Sequence, residues 1–178
     1  MKGLLFFLLA TFFMPQTTFA YVGFGICNFG KERVEHVICY GPTVLNETMV
    51  SGEVKVAGPL KAYKVLMESM TITGAARVQN SSVSGPVIVK GYLYASSTIF
   101  EKDLIVTSNR LDLDHVLIKG SVTMHSDKDK PYIKLQCGSR VMGSVTFDGV
   151  AGVVQMTDDS KVEGKIQNGV IEFIKQKC

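Results

Sequence analysis

A glycine recurs at the centre of a five-residue frame, apolar-x-Gly-x-apolar, along most of this 178-residue chain. Counted by twos, the glycine stands in the row of a strand that should face a core, where it would weaken an ordinary strand. Several centres are similarly spaced, since the step from Gly52 to Gly74 nearly equals that from Gly120 to Gly143. A period of about 20 residues is typical of a solenoid, in which each repeat forms one coil. The frames are VSGEV, ITGAA, VSGPV, VKGYL, IKGSV, VMGSV and VEGKI, centred on Gly52, Gly74, Gly85, Gly91, Gly120, Gly143 and Gly164, and FEKDL carries Lys102 at the glycine position.

The coil explains why a glycine interrupts the apolar row. Each coil must bend at its corners, and glycine accepts a sharp bend or a positive φ without a Cβ penalty. We therefore expect the seven glycines to stack in one corner column, with valine, isoleucine and leucine filling the sides. Residues 44–178 are predicted to form an all-β domain, a single-stranded parallel β-helix (β-solenoid) of about seven coils. Residues 21–43 are expected to form a small N-terminal cap.

The first 20 residues have the layout of a secretory signal peptide. Lys2 precedes an apolar run over residues 4–13, then a Pro15-Gln16 break, and small residues lead to Ala20, where cleavage is expected. An uncleaved membrane anchor is the alternative, although the run is short for a span of about 20 residues. We expect an exported protein, periplasmic or secreted, with no stable membrane span after signal removal.

The charge balance of the exported chain argues against a nucleic-acid partner. Removing residues 1–20 removes one base, Lys2, and no acid, so 18 of the 19 basic residues remain against 16 acidic residues. No long basic run is present to follow a phosphate backbone.

Four cysteines follow the predicted signal peptide: Cys27, Cys39, Cys137 and Cys178. An even number in an exported chain suggests two disulfides. Of the three possible pairings we favour Cys27–Cys39, which closes a short loop, and Cys137–Cys178, which ties the last residue to the body. The sequence has no Cys-x-x-Cys motif, nucleophile elbow, P-loop or dinucleotide fingerprint, so no metal, cofactor or catalytic residue is predicted.

The repeated VxGxV/I/L frames over residues 48–168 resemble those of bactofilins, a bacterial family of polymer-forming β-helices. The resemblance implies a right-handed β-helix that acts as a scaffold and associates end to end without a nucleotide. Bactofilins are typically cytoplasmic and need no paired cysteines, so this chain would be an exported, disulfide-containing variant.

A second functional candidate is the stretch RLDLDH, residues 110–115. Alternation points Leu111 and Leu113 inward and Arg110, Asp112 and Asp114 outward. Pectin-cleaving β-helices hold calcium with outer-face aspartates and use an arginine as base, so this face resembles a glycan site. A charged exposed strand in which Arg110 pairs with Asp112 is the simpler interpretation, because surface ion pairs are common.

Alternation also points Tyr92 and Tyr94 outward, where with Lys64 and Lys90 they could form a binding surface for a glycan or a partner strand. The leading hypothesis is a non-enzymatic scaffold or protein-interaction module of the bacterial cell envelope. Its partners would be envelope proteins or further copies of itself, bound end to end or side by side. The alternatives are a small carbohydrate-binding or carbohydrate-active β-helix and a secreted virulence or adhesion factor.

Overall fold

The computed structural model describes residues 19–128, 130–175 and 178, so the apolar run of the expected signal peptide lies outside the described residues. Every regular element within them is a β-strand. No helix in this part of the chain has the length and apolar character needed to cross a membrane. The strands are β1 (Tyr21–Phe24), β2 (Cys27–Phe29), β3 (Arg33–Val34), β4 (Val37–Tyr40), β5 (Thr43–Asn46), β6 (Met49–Ala57), β7 (Leu60–Tyr63), β8 (Leu66–Thr73), β9 (Ala76–Gln79), β10 (Ser82–Val83), β11 (Val87–Lys90), β12 (Leu93–Ser96), β13 (Ile99–Phe100), β14 (Leu104–Thr107), β15 (Arg110–Asp114), β16 (Leu117–Ile118), β17 (Val122–Ser126), β18 (Tyr132–Gln136), β19 (Arg140–Val141), β20 (Val145–Gly149), β21 (Gly152–Met156), β22 (Lys161–Val162), β23 (Ile166–Gln167) and β24 (Gly169–Phe173).

The strands wind into a parallel β-solenoid of nine coils, which confirms the predicted fold class. A complete coil has three sides, as in β10–β12 or β22–β24, and β6 and β8 each cover two sides. The first two sides form a 15-stranded sheet, sheet A, and the third side forms a nine-stranded sheet, sheet B. Neighbouring coils pair in parallel. Eight steps of about 4.8 Å give a stack roughly 40 Å long.

The core is a set of apolar columns that run along the solenoid axis. Alternation within each strand sends every second side chain inward, and parallel pairing in register places equivalent side chains above one another. Six successive residues of one inward column of sheet B are each at most 2% exposed: Leu60, Ala76, Leu93, Leu111, Ile133 and Val154. Burial of such columns is the main stabilising contribution to a fold of this kind.

The predicted count of about seven coils was too low for two reasons. Coils in the first half are shorter than the period assumed from the glycine frames: the step from Leu60 to its partner Ala76 is well below that from Leu111 to Ile133. In addition, the expected cap, residues 21–43, contains strands that continue the stack. β1 pairs with β4, and β2 pairs with β5, both in parallel.

The glycines stack in two corner columns, where we expected one. Gly74 and Gly91 belong with Gly41 and Gly58 at the corner before sheet B, where φ lies between 144° and 155°. The other five expected glycines, Gly52, Gly85, Gly120, Gly143 and Gly164, lie at the corner between the two sides of sheet A and lack a positive φ.

At this second corner the constraint is the close approach of consecutive coils. A Cβ on Gly143 would lie 2.5 Å from the carbonyl oxygen of Gly120, and one on Gly164 would lie 2.5 Å from that of Gly143. The register places Lys102, which replaces glycine in FEKDL, at the position of Gly120 one coil earlier.

The third corner, after sheet B, is built mainly from residues other than glycine, although Gly138 with a φ of 73° follows Cys137 in one coil. Six non-glycine residues of this corner adopt a left-handed φ between 47° and 54°: Glu47, Lys64, Asn80, Ser97, His115 and Cys137. Buried hydroxyls support this turn: Ser81 Oγ donates to the carbonyl of Gln79 at 2.8 Å and accepts the amide of Val65 at 3.0 Å. Because these hydroxyls satisfy backbone groups inside the corner, non-glycine residues can hold a conformation that they rarely adopt.

Candidate functional site

The expected outer-face residues Arg110 and Asp112 form a closed ion pair on β15. Arg110 Nη2 lies 2.6 Å from Asp112 Oδ2, and Arg110 Nε donates to the same oxygen at 2.7 Å. The hydroxyl of Tyr92, one coil earlier, donates to this oxygen at 2.5 Å. Asp112 is consequently only 3% exposed, although it belongs to an outward column between Tyr94 and Lys134.

Aromatic rings complete the cover over this carboxylate. The guanidinium of Arg110 lies 5.2 Å from the ring centre of Tyr92 and 5.8 Å from that of Tyr132. On the neighbouring coils Arg77 lies 5.1 Å from the ring centre of Tyr94. Cation–π contacts of this kind hold the arginines flat against the sheet.

The electrostatics of the cluster favour its neutral phenol and its charged guanidinium. Burial, followed by the hydrogen bond to Asp112, raises the pKa of Tyr92 to about 12. The hydrogen bond to Asp112 also raises the pKa of Arg110. Both groups therefore keep their protons over the physiological range, and neither is poised to transfer one at neutral pH.

This geometry is poorly suited to the calcium or acid–base chemistry suggested by RLDLDH. Oδ2 of Asp112 already accepts two hydrogen bonds and lies 2.6 Å from Nη2 of Arg110, and its buried Oδ1 has no hydrogen-bond partner among the described residues. Asp114 does not join the cluster, because its Oδ1 lies 2.6 Å from Nδ1 of His115 instead. Arg110, Asp112 and Asp114 thus share a strand without converging on a common open position.

Asp114 and His115 lie close to Cys137 rather than to a second carboxylate. Ligand atoms of Asp114, His115 and Cys137 lie within 4.8 Å of one another. The sulfur of Cys137 is bonded to Cys178, so it offers no thiolate to a metal ion. The two disulfides are Cys27–Cys39 and Cys137–Cys178, the pairing favoured from the sequence, and they are consistent with an oxidising compartment.

The C-terminal end of the solenoid leaves its core open. Ile171 on β24 continues the column of Val154, which is fully buried, yet Ile171 is 50% exposed because the described residues form no further coil above it. Phe173 on the same strand is 65% exposed, and β24 pairs with β21 alone. The edge of β24 therefore combines apolar side chains with unpaired backbone groups, which is the kind of edge that templates strand pairing.

The N-terminal end of the solenoid differs from the C-terminal end, because its inward residues are buried and its exposed apolar residues lie around them. Cys27 and Phe29 of β2 are buried, and the ring of Phe29 meets that of Tyr21 edge to face at 4.8 Å. Exposed apolar side chains surround this end: Val22, Phe24, Ile26 and Tyr40.

The open end carries no clear signal in the sequence, because period-2 alternation does not indicate whether a further coil covers Ile171 and Phe173. The polar groove on sheet B around Lys61 and Arg77, whose lining comes from four coils, was not predicted either. An available signal was the in-register recurrence of outward polar residues at the spacing of one short coil. Comparison of the chain with protein-family models, curated proteins and solved structures finds no match.

Proposed function

We propose that this protein is a non-enzymatic, exported scaffold whose copies associate through the ends of the solenoid. The observation that carries the proposal is the open C-terminal core at Ile171 and Phe173 on the edge strand β24. Apolar side chains on an unpaired edge favour association, because pairing removes them from water and satisfies the free backbone groups.

The second copy would bind with its N-terminal coil on β24. The two end coils present matching sides: β23 and β1 belong to the same position of the coil, as do β24 and β2. A head-to-tail arrangement continues the parallel pairing used throughout the chain. It would place Phe173 of one copy next to Phe29 of the following copy, because the two residues belong to the same inward column. Cleavage after Ala20, as expected from the sequence, would begin the mature chain at Tyr21, the first residue of β1.

The C-terminal disulfide supports this use of the end. Cys137 follows β18, two coils before β24, so the bridge to Cys178 draws the last residue back along the side of the stack. Val170, Ile171 and Phe173 remain exposed on β24 beside this bridge. The resemblance of the glycine frames to bactofilins supports the same role, with export and the disulfides as the differences.

The test is the mass of mature protein, residues 21–178, by sedimentation over a range of concentrations. We expect an open series of oligomers, because a head-to-tail contact leaves one free end at each addition. Ile171→Asp should shift the series to monomer. Leu66→Asp is the matched control, because Leu66 is also 50% exposed but lies on a side of the stack, in β8.

Monomer at every concentration would overturn the proposal, as would equal loss of association in both variants. A series that stops at a dimer would contradict the head-to-tail arrangement, since a two-fold contact closes on itself. Association should survive Asp112→Ala in variants that remain folded, because the ion pair of β15 lies away from both ends.

A further inference from the structure

A shallow groove of about 460 Å³ crosses the outer face of sheet B over the first four coils. Its walls come from two columns in register. The first column contains Asn28, Lys61 and Arg77, and the second contains Asn46, Tyr63 and Gln79. The volume is in the range of sites for small molecules or short polymer segments.

The groove carries two positive charges and no carboxylate among the residues that line it. Within the described part of the chain, neither Lys61 nor Arg77 forms a salt bridge. The neighbouring acid at the third corner, Glu47, is already paired with Lys64 at 3.3 Å. The groove should therefore attract an anion, and Arg77 can offer a carboxylate two parallel N–H donors.

The remaining side chains of the groove can form hydrogen bonds with hydroxyl groups and can pack against the flat face of a sugar ring. Asn28 and Asn46 are exposed, and their amides each offer donors and an acceptor. Gln79 donates through Nε2 to Ser96 Oγ at 3.3 Å, which leaves its carbonyl oxygen to accept a hydroxyl. Tyr63 is 42% exposed and gives the groove an aromatic surface on which the C–H face of a sugar can pack.

We propose that this groove binds a segment of acidic polysaccharide, with sugar carboxylates on Lys61 and Arg77, hydroxyls on the amides, and one sugar ring against Tyr63. The columns repeat at about 4.8 Å, so successive coils offer partners to a linear polymer. The site lies on sheet B, away from the C-terminal end, and Arg77 at its edge adjoins the Arg110–Asp112 cluster through its contact with Tyr94. It consequently adds a ligand to the protein whether or not its copies associate.

The test is calorimetric titration of the mature protein with oligogalacturonate and with oligoalginate at low salt. Methyl-esterified oligogalacturonate is the control ligand, because it keeps the sugar ring and loses the charge. We expect binding of at least one acidic oligosaccharide, little binding of the ester, and weakening as salt rises. Polyglutamate and vesicles with anionic phosphatidylglycerol test whether any anionic peptide or lipid surface is equally acceptable.

Three variants locate the site. Arg77→Gln and Tyr63→Ala should each raise the dissociation constant about tenfold, the effect of one lost charge-assisted hydrogen bond or one lost stacking contact. Lys55→Gln removes the same charge from an exposed position on sheet A and should change it less than about twofold. Circular dichroism and thermal unfolding check that each variant is folded.

Absence of binding to both acidic oligosaccharides would overturn the proposal. Equal or tighter binding of polyglutamate or of the vesicles would also overturn it, since the groove would then select charge alone. Equal weakening by Lys55→Gln would show that the ligand responds to net charge and not to this groove.

Discussion

Arg110 and Asp112, two residues apart on β15, hold each other through two contacts to one carboxylate oxygen, at 2.6 and 2.7 Å. The hydroxyl of Tyr92 reaches the same oxygen from the preceding coil, so the pair also links two coils. The aspartate side chain is almost fully buried, whereas that of the arginine is half exposed. The arrangement stabilises the face of sheet B and leaves the carboxylate closed to an external ligand.

Asp112→Asn should destabilise the protein by about 1–3 kcal/mol, because the change weakens hydrogen bonds to a charged group in a buried position. Urea unfolding of both proteins measures the difference. Asp148→Asn is the control, since Asp148 is exposed and pairs with His125 at 2.7 Å on the surface. It should change the free energy of unfolding by less than about 0.5 kcal/mol. Equal effects of the two substitutions would show that the Arg110–Asp112 pair contributes no more to the free energy of unfolding than an exposed surface pair.

Tyr92 should make stability depend on pH at the alkaline end. An unfolded tyrosine ionises near pH ~10, whereas the pKa of Tyr92 in the folded state is raised to about 12. The contribution of Tyr92 is therefore complete below pH ~10 and is lost as the pH rises through about 12, because the unfolded state releases the proton first.

Phenolate absorbance and unfolding measured against pH test this expectation. In the folded protein, Tyr92→Phe should remove a phenolate transition near pH 12 and flatten the alkaline decline in the free energy of unfolding. Asp112→Asn should lower the pKa of Tyr92, since the hydrogen bond to this carboxylate contributes to its rise. A transition near pH 12 that survives Tyr92→Phe would assign it to another group.

The sequence was sufficient for the fold class because the glycine frames mark a bend or a close approach in most coils, although the coil of β13–β15 has Lys102 in place of the glycine. It was less informative about the corners. Gly91 and Gly120 occupy similar frames, yet the first has a φ of 146° and the second is restricted by the backbone of Lys102 and Asp103. Short frames do not distinguish a positive φ from a close approach, so they predicted one column where the structure has two.

The candidate sites were harder to predict, because they depend on contacts between coils. Alternation predicted that Asp112 points outward. It did not predict that the hydroxyl of Tyr92, on the preceding coil, donates a hydrogen bond to this carboxylate. Likewise, Lys61 and Arg77 are neighbours in the strand register because the coil that separates them is short. Which residues share a surface therefore depends on the exact length of each coil, which the approximate period of the glycine frames did not provide.

Gly58→Ala should destabilise the protein by about 1–3 kcal/mol, the usual range for a forced backbone conformation. Gly58 has a φ of 152°, and an added Cβ would lie 2.5 Å from the carbonyl oxygen of Gly41. Gly30→Ala is the matched control, because its Cβ would meet nothing within 4 Å and its φ lies outside the left-handed region. Urea unfolding should show little change for Gly30→Ala. A similar loss in both variants would refute the close-approach argument for this corner.

The Cys137–Cys178 bridge should hold the last coils in place without affecting the centre of the solenoid. It closes a loop with a sequence separation of 41 residues, for which the chain-entropy account gives about 4 kcal/mol. In a solenoid each coil contacts its neighbours alone, so the loss should remain local. Hydrogen exchange of a Cys137→Ser, Cys178→Ser double variant should therefore accelerate in β24 and β21 and stay unchanged in β11.

The N-terminal bridge provides the reciprocal comparison. A Cys27→Ser, Cys39→Ser double variant should accelerate exchange in β1, β2 and β4 and leave β24 protected, because this bridge joins the first two coils. Acceleration throughout the stack in either variant would mean that the nine coils unfold as one cooperative unit. The bridges would then stabilise the whole solenoid, and the open edge at Ile171 would be as resistant to local opening as the centre.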